Sequence, residues 1–202
     1  MSTFLRKVPV FAVLSLALSL ALPASAAEGA EAYLQGKLTN LSTLVSSKAA
    51  DDGKRADNAF DELFDYDGLA KATLKDSWEE RTPVQRAEFT DVLKSLVKNA
   101  YRRNIKKTLG YDVKFTGEKD GETGKIVSSV AKKKGVRDDD QVSIDYVAHE
   151  VGGKWQIFDV VTEGSSLVRN YRSQFRKVIE KHGFDELLKR MKAKRDKGTD
   201  GE

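Results

Sequence analysis

Apolar residues recur at spacings of three and four along the first half of the chain, and at a spacing of two further on. Ala30, Leu34, Leu38, Leu41 and Val45 mark one face of a first helix. A short helical turn is expected around Phe60, Leu63 and Phe64, then a helix over about 67–78 with Asp67 as its cap. The sharpest start signal is Thr82-Pro83-Val84-Gln85. Thr82 can cap, Pro83 takes the first helical position where its missing N–H costs nothing, and Gln85 completes a capping box. Beyond it Phe89, Val92, Leu93, Leu96, Val97, Ala100 and Tyr101 predict a broad apolar helix face ending near Leu109.

From Tyr111 the period changes to two. Tyr111, Val113 and Phe115 alternate with polar residues, and strand-like runs follow at 125–132, 141–150 and 154–163. Gly152-Gly153 predicts an antiparallel hairpin between the last two. In the final run Trp155, Ile157 and Val161 are expected to point one way and Phe158 and Val160 the other, so both sheet faces should be covered. Leu167, Val168, Tyr171, Phe175, Val178 and Ile179 then return to helical spacing until Gly183. Asp185 is expected to cap a short last helix containing Leu187, Leu188 and Met191, with 192–202 as a disordered tail. Helices, then an antiparallel sheet, then helices predict an α+β fold.

Composition changes this picture first at the start of the chain. Arg6 and Lys7 precede an almost wholly apolar run over 8–22, closed by Ala24-Ser25-Ala26. That is the pattern of a signal peptide cleaved after residue 26. Its removal takes two cations and no acid, lowering the net charge from +4 to +2. The remaining chain is roughly 36% apolar, enough for a folded domain over 27–191. There is no Cys and only two His, His149 and His182. Disulfides, thiol nucleophiles and thiolate or multi-histidine metal centres are therefore excluded, and no metal or cofactor is expected.

Three groups of residues merit weighing for chemistry. Ser143, Asp145 and His149 share one predicted strand face with Asp159 on the paired strand, an arrangement open to acid–base work or to simple solvent exposure. Basic clusters at Arg102-Arg103, Lys106-Lys107, 132–134 and 189–197 read mainly as solvated surface. A minority could meet anionic headgroups or an acidic partner, while nucleic acid is not expected at this charge. The apolar surplus of the long helix and the sheet fits either a packed core or a long cavity between them. Periodicity does not separate those two.

Several motifs, in order, resemble a known family. Phe64-Asp65-Tyr66, Leu69-Ala70, Trp78 and Thr82-Pro83-x-Gln85 are followed by the block Trp155 to Leu167, which runs straight into Asn170-Tyr171-Arg172-Ser173-Gln174-Phe175. The chain thereby resembles the MlaC, or toluene-tolerance, family over about 30–191. One departure is Lys75, where the family commonly has Gly after the Leu of this segment. The resemblance implies a fold related to the NTF2-like cone, a twisted antiparallel sheet of about four strands wrapped by helices around an apolar cavity. It implies a periplasmic phospholipid carrier, not an enzyme, monomeric and free of cofactor, with a glycerophospholipid as its ligand. The implied partners are an outer-membrane lipoprotein–porin complex and an inner-membrane ABC transporter with an MCE-domain ring. The implied role is maintenance of outer-membrane lipid asymmetry.

The residues expected to line the cavity are Phe64, Trp78, Phe89, Leu93, Leu96, Val97, Tyr101, Val127, Ile144, Tyr146, Ile157 and Val161. Tyr171 and Arg172 are expected at the headgroup or a partner. Two rival readings stand beside the carrier. One is an NTF2-like periplasmic enzyme using Asp145 or Asp159 with His149, and the other is a periplasmic adaptor with a fully packed core.

Overall fold

The computed structural model describes residues 29–199 apart from 48, 50 and 136–140, and for 102–108, 198 and 199 it describes the backbone alone. The expected signal peptide and the Arg102-Arg103 and Lys106-Lys107 side chains lie outside the described residues.

The repeat at Ala30, Leu34, Leu41 and Leu44 is the buried stripe of α1 (Ala30–Ser46). Around Phe60 the chain forms not a short turn but a 12-residue helix, α2 (Asp52–Leu63). Its composition is polar, yet Ala56, Phe60 and Leu63 fall at helical spacing and bury one narrow face. The next helix, α3 (Tyr66–Leu74), is capped by Asp65 instead of Asp67, the Asp65 carboxylate accepting from Gly68 N at 2.9 Å. Asp67 sits inside the first turn, where its charge suits the helix dipole. Continuation to Trp78 fails because Lys75 takes φ 49°, so that α3 ends and a single turn, α4 (Asp76–Glu79), starts afresh.

The capping box forms as the sequence predicts. Gln85 N donates to Thr82 Oγ1 at 3.2 Å and Thr82 N to Gln85 Oε1 at 3.0 Å, opening α5 (Pro83–Thr108). Four strands follow, β1 (Tyr111–Asp120), β2 (Lys125–Lys133), β3 (Gln141–Val151) and β4 (Lys154–Thr162). Gly152 and Gly153 both have positive φ, the backbone a two-residue hairpin turn demands. A second such turn at Glu163-Gly164 adds a fifth, two-residue strand, β5 (Ser165–Ser166). The sheet is antiparallel throughout, in the order β1-β2-β3-β4-β5.

The register of β3 against β4 overturns the expected facing of the last strand. Ala148 pairs with Ile157 and Val147 with Asp159, leaving Phe158 as an extra residue, a β-bulge. Side chains beyond the bulge change face, so Val160 joins Ile157, while Val161 lies opposite Asp145 on the other side. The face carrying Val127, Ser129, Tyr146, Ala148 and Ile157 is the core face. Ile126, Val130, Val147 and Val161, on the other face, take no part in that core.

Ser166 caps α6 (Leu167–His182), its Oγ accepting from Arg169 N at 3.0 Å. After Gly183, α7 (Phe184–Thr199) begins one residue before Asp185 and runs past 191 into the segment expected as a disordered tail. Two contacts hold that extension: Met191 is buried and Lys192 pairs with Glu88 of α5. The basic charges of α7 face local carboxylates, Arg190 meeting Glu186 at 2.8 Å and Arg195 meeting Asp196 at 2.8 Å. No helix among the described residues is long and apolar enough to cross a membrane.

Candidate functional site

The Phe64-Asp65-Tyr66 motif joins helix to sheet. Phe64, at the end of α2, forms a parallel bridge to Ile157, and Asp65 N donates to Ile157 O at 2.9 Å. The Asp65 carboxylate takes His149 Nε2 at 2.6 Å while capping α3. This fixes Phe64 over the core face of the sheet. Its ring stacks on Phe60 at 4.5 Å between centroids and lies 6.1 Å from Tyr66.

From Phe60 the row of rings continues to Tyr101 of α5, 4.2 Å away. On the sheet, Tyr146 stacks against Phe115 at 6.1 Å, and Tyr101 and Tyr146 stand close enough for their phenols to interact. Rings from α2, α5, β1 and β3 thus line one seam between helices and sheet. Val127 and Ile157 are buried beneath it, whereas Phe64, Tyr101, Phe115, Ile144, Tyr146 and Val160 are only partly buried.

The polar groups of the seam are few and neutral. Tyr101 Oη is enclosed and has no hydrogen-bond partner among the described residues. Burial, reinforced by Tyr146, pushes the Tyr101 hydroxyl far above its ordinary range. Burial likewise raises Tyr146, partly offset by its hydrogen bond with Ser129. At the rim, burial and then Asp61 push up Tyr66, whose hydroxyl donates to Asp61 Oδ1 at 3.2 Å. Asp61 is raised by its own burial, but Lys98 and Lys94, at 3.0 and 3.1 Å, more than offset this and hold it below the usual carboxylate range. The seam therefore offers apolar surface with phenol donors, and no charged side chain inside it among the described residues.

The residues expected from the sequence do not share one place. Phe64, Tyr101, Ile144 and Tyr146 line the seam, with Val127 and Ile157 at its base. Leu93, Leu96 and Val97 are buried along α5. Phe89 belongs elsewhere, against Phe175 at 5.6 Å and Phe184 at 6.1 Å, among α5, α6 and α7. Trp78 sits on α4 with the Arg86 guanidinium over its ring, and Val161 is on the far face of the sheet. Tyr171 stacks on Phe175 at 5.2 Å within the helical layer. Arg172 donates through Nε to Ala72 O at 2.9 Å, tying α6 to α3. Phe60, Phe115 and Val160 are seam residues that the expected lining omits, Val160 because the bulge at Phe158 turns it to this face. Phe115 shares the alternation of β1 and Phe60 the helical spacing of α2, and both signals are present in the sequence.

The acid–base constellation does not assemble. His149 is engaged by Asp65 and stacked under Phe158 at 4.8 Å. Asp159 accepts from Ser166 Oγ at 2.6 Å and from Val168 N at 2.9 Å, a cap for α6. Asp145 lies opposite Ser128 and Val161, away from the core face. Among the described residues no three His, Asp or Glu side chains gather as metal ligands.

Comparisons with known proteins place this geometry. A family profile described as MlaC protein matches residues 38–193. The phospholipid-binding protein from Ralstonia solanacearum, solved in complex with a phospholipid, has a similar fold, with a TM-score of 0.71 at 19% identity. The alignment covers 84% of this chain and 98% of that one. No match is found among curated proteins.

Proposed function

Because the chain belongs to the MlaC family, we propose that it is a periplasmic phospholipid carrier that takes acyl chains into the aromatic seam. The observation that carries this reading is the family match over residues 38–193, which spans both walls of the seam from α2 to β4. The shared fold with a protein solved holding a phospholipid supports it. So does the chemistry of the seam, partly buried rings and neutral phenols, with no charge to desolvate among the described residues.

The energetics explain why a carrier is needed. A lipid with two chains of ~16 carbons carries about 30 methylenes, each worth ~0.8 kcal/mol away from water. Crossing an aqueous compartment bare therefore costs on the order of 20 kcal/mol. A protein that exchanges one apolar environment for another removes most of that barrier, and no covalent bond changes. In this reading the chain is exported by its cleaved leader. It moves lipid between an outer-membrane lipoprotein–porin complex and an inner-membrane ABC transporter with an MCE-domain ring, whose ATPase drives the cycle. The result is maintenance of outer-membrane lipid asymmetry.

The test is organic extraction of the full chain, expressed with export and purified without detergent, followed by mass spectrometry. About one phospholipid per folded chain is expected, as one seam of this kind holds one ligand. A protein that emerges lipid-free and takes no lipid from vesicles overturns the proposal.

A further inference from the structure

A cavity lies apart from the seam and shares no lining residue with it. It opens between the end of α3, the single turn α4 and one face of α6, with a volume of about 250 Å³. Beside Leu74, Phe175 and Ile179 it carries what the seam lacks among the described residues, a set of cations. Arg169, Arg172 and Arg176 stand at i, i+3 and i+7 of α6, which places all three guanidinium groups along one helix face. Lys75 approaches from the other side, and one carboxylate, Asp76, lines the cavity against these four cations.

Two of these cations are anchored without a carboxylate, and the other two meet one only loosely in solvent. Arg172 is half-buried and anchored from behind, Nε donating to Ala72 O at 2.9 Å, and no carboxylate pairs with it among the described residues. Arg169 is held by Gly164 O at 2.8 Å, again a carbonyl. Among the described residues Arg176 reaches only Glu180, at 3.7 Å with both side chains in solvent, and Lys75 only Asp76, at 4.0 Å. Guanidinium groups anchored on carbonyls keep their remaining N–H donors for a planar or tetrahedral oxyanion. Lys75 adds a second observation. Its φ of 49° and ψ of −118° form a backbone conformation that only glycine takes without strain. A lysine stands where the turn itself favours glycine, and that lysine lines the cavity.

We propose that this cavity is a binding site for a phosphate group, held by Arg169, Arg172, Arg176 and Lys75. A phosphate matches the guanidinium groups and the ammonium that line this one cavity. The cavity is smaller than the roughly 300–1,000 Å³ of sites for whole organic ligands, so it takes the group and leaves what is attached to it outside. Free phosphate and the phosphodiester of a membrane lipid offer the same chemistry. The site does not rest on lipid carriage in the seam, and either can fail alone.

The experiment titrates the full chain with inorganic phosphate at low, constant ionic strength, following the arginine Nε–H resonances, with chloride as control. A parallel arm sediments the chain with phosphatidylglycerol or phosphatidylcholine vesicles. Saturable phosphate binding that moves the Arg172 resonance is expected, weakened at least tenfold in Arg176→Gln, whose side chain is exposed and holds no fold contact but Glu180. Lys75→Gly should weaken binding by a similar factor while raising the melting temperature, a pairing that a purely structural lysine does not give. Binding seen with both vesicle types, and not with free phosphate, supports the site with a lipid phosphodiester as its source, provided the same variants abolish it. Two results overturn the proposal. One is phosphate acting no differently from chloride while vesicle binding ignores both variants. The other is an equal loss in the double variant Lys177→Gln, Lys181→Gln, which sits outside the cavity and would mark a diffuse basic surface.

Discussion

At the N-terminal end of α5, Phe89 is wholly buried, with Phe175 edge-on at 85° and Phe184 beside it, each 5% exposed. At the other end of the same helix, Tyr101 meets Phe60 and Tyr146, and several rings around it remain partly exposed although their neighbours are apolar. The residue types are similar, but the packing differs. Edge-to-face rings closed on all sides are a finished interior. Stacked rings from two layers that do not fully cover one another leave apolar surface for a further occupant. In the proposed reading the helical layer is thus the keel of the molecule and the sheet-side seam its working surface.

The largest expected effects separate those roles. Phe89→Ala removes a fully enclosed ring and should destabilise the chain by about 3–5 kcal/mol in denaturant unfolding. The lipid extracted per folded chain should be unchanged. Phe115→Ala, in the seam, should cost about 1–2 kcal/mol, because only part of that ring leaves water, yet lower lipid occupancy several-fold. Equal stability losses with equal lipid losses would dissolve the distinction between the two ends.

A smaller effect separates the regions by pH. Tyr66, Tyr101 and Tyr146 are all held neutral by burial, with folded values above the ordinary 10. For a group raised on folding, the stabilisation is complete below the unfolded value and is lost as pH climbs toward the folded one. Stability should therefore hold up to about pH 10 and fall above it, each phenol contributing at most about 1.4 kcal/mol per pH unit. The fall should be shallower in Tyr146→Phe, as read by unfolding midpoints against pH. The rings that Tyr66, Tyr101 and Tyr146 meet are Phe64, Phe60 and Phe115, not Phe89, so Phe89→Ala should shift the whole curve without changing its slope.

How much of this was legible in the residues depends on the range of the interaction. The Thr82–Gln85 box and the Gly152-Gly153 hairpin are local, and the chain writes them in adjacent positions. The strand limits follow from a period-two pattern that little else produces. The bulge at Phe158 is invisible to such counting, because an inserted residue reads as ordinary alternation until the partner strand supplies the register. That is why Val161 seems to share a face with Ile157 and does not. The helix α2 hides in a polar composition, since three apolar residues at the right spacing suffice once a sheet lies beneath them. The cap falls on Asp65 and not Asp67 because the bridge from Phe64 to Ile157 decides where extended backbone ends. Phe89 and Trp78 carry the same apolar signal as Tyr101, and only tertiary packing sends them to the keel.

The subtlest comparison concerns one hydroxyl. Tyr101 Oη lies enclosed without a partner among the described residues, and an unmade buried hydrogen bond is a cost to the protein that carries it. In lipid-free protein, Tyr101→Phe should therefore leave stability unchanged or raise it by up to about 1 kcal/mol. If a lipid ester carbonyl reaches this hydroxyl, loading supplies the missing acceptor. The same variant should then lose about 1 kcal/mol of lipid affinity, roughly fivefold. Melting temperatures of wild type and variant, each measured delipidated and loaded, test both halves. A reversal of the order of stability on loading identifies Tyr101 as a contact made by the ligand. The same order in both states places its hydroxyl with the protein's own packing, and moves the boundary between keel and working surface toward the sheet.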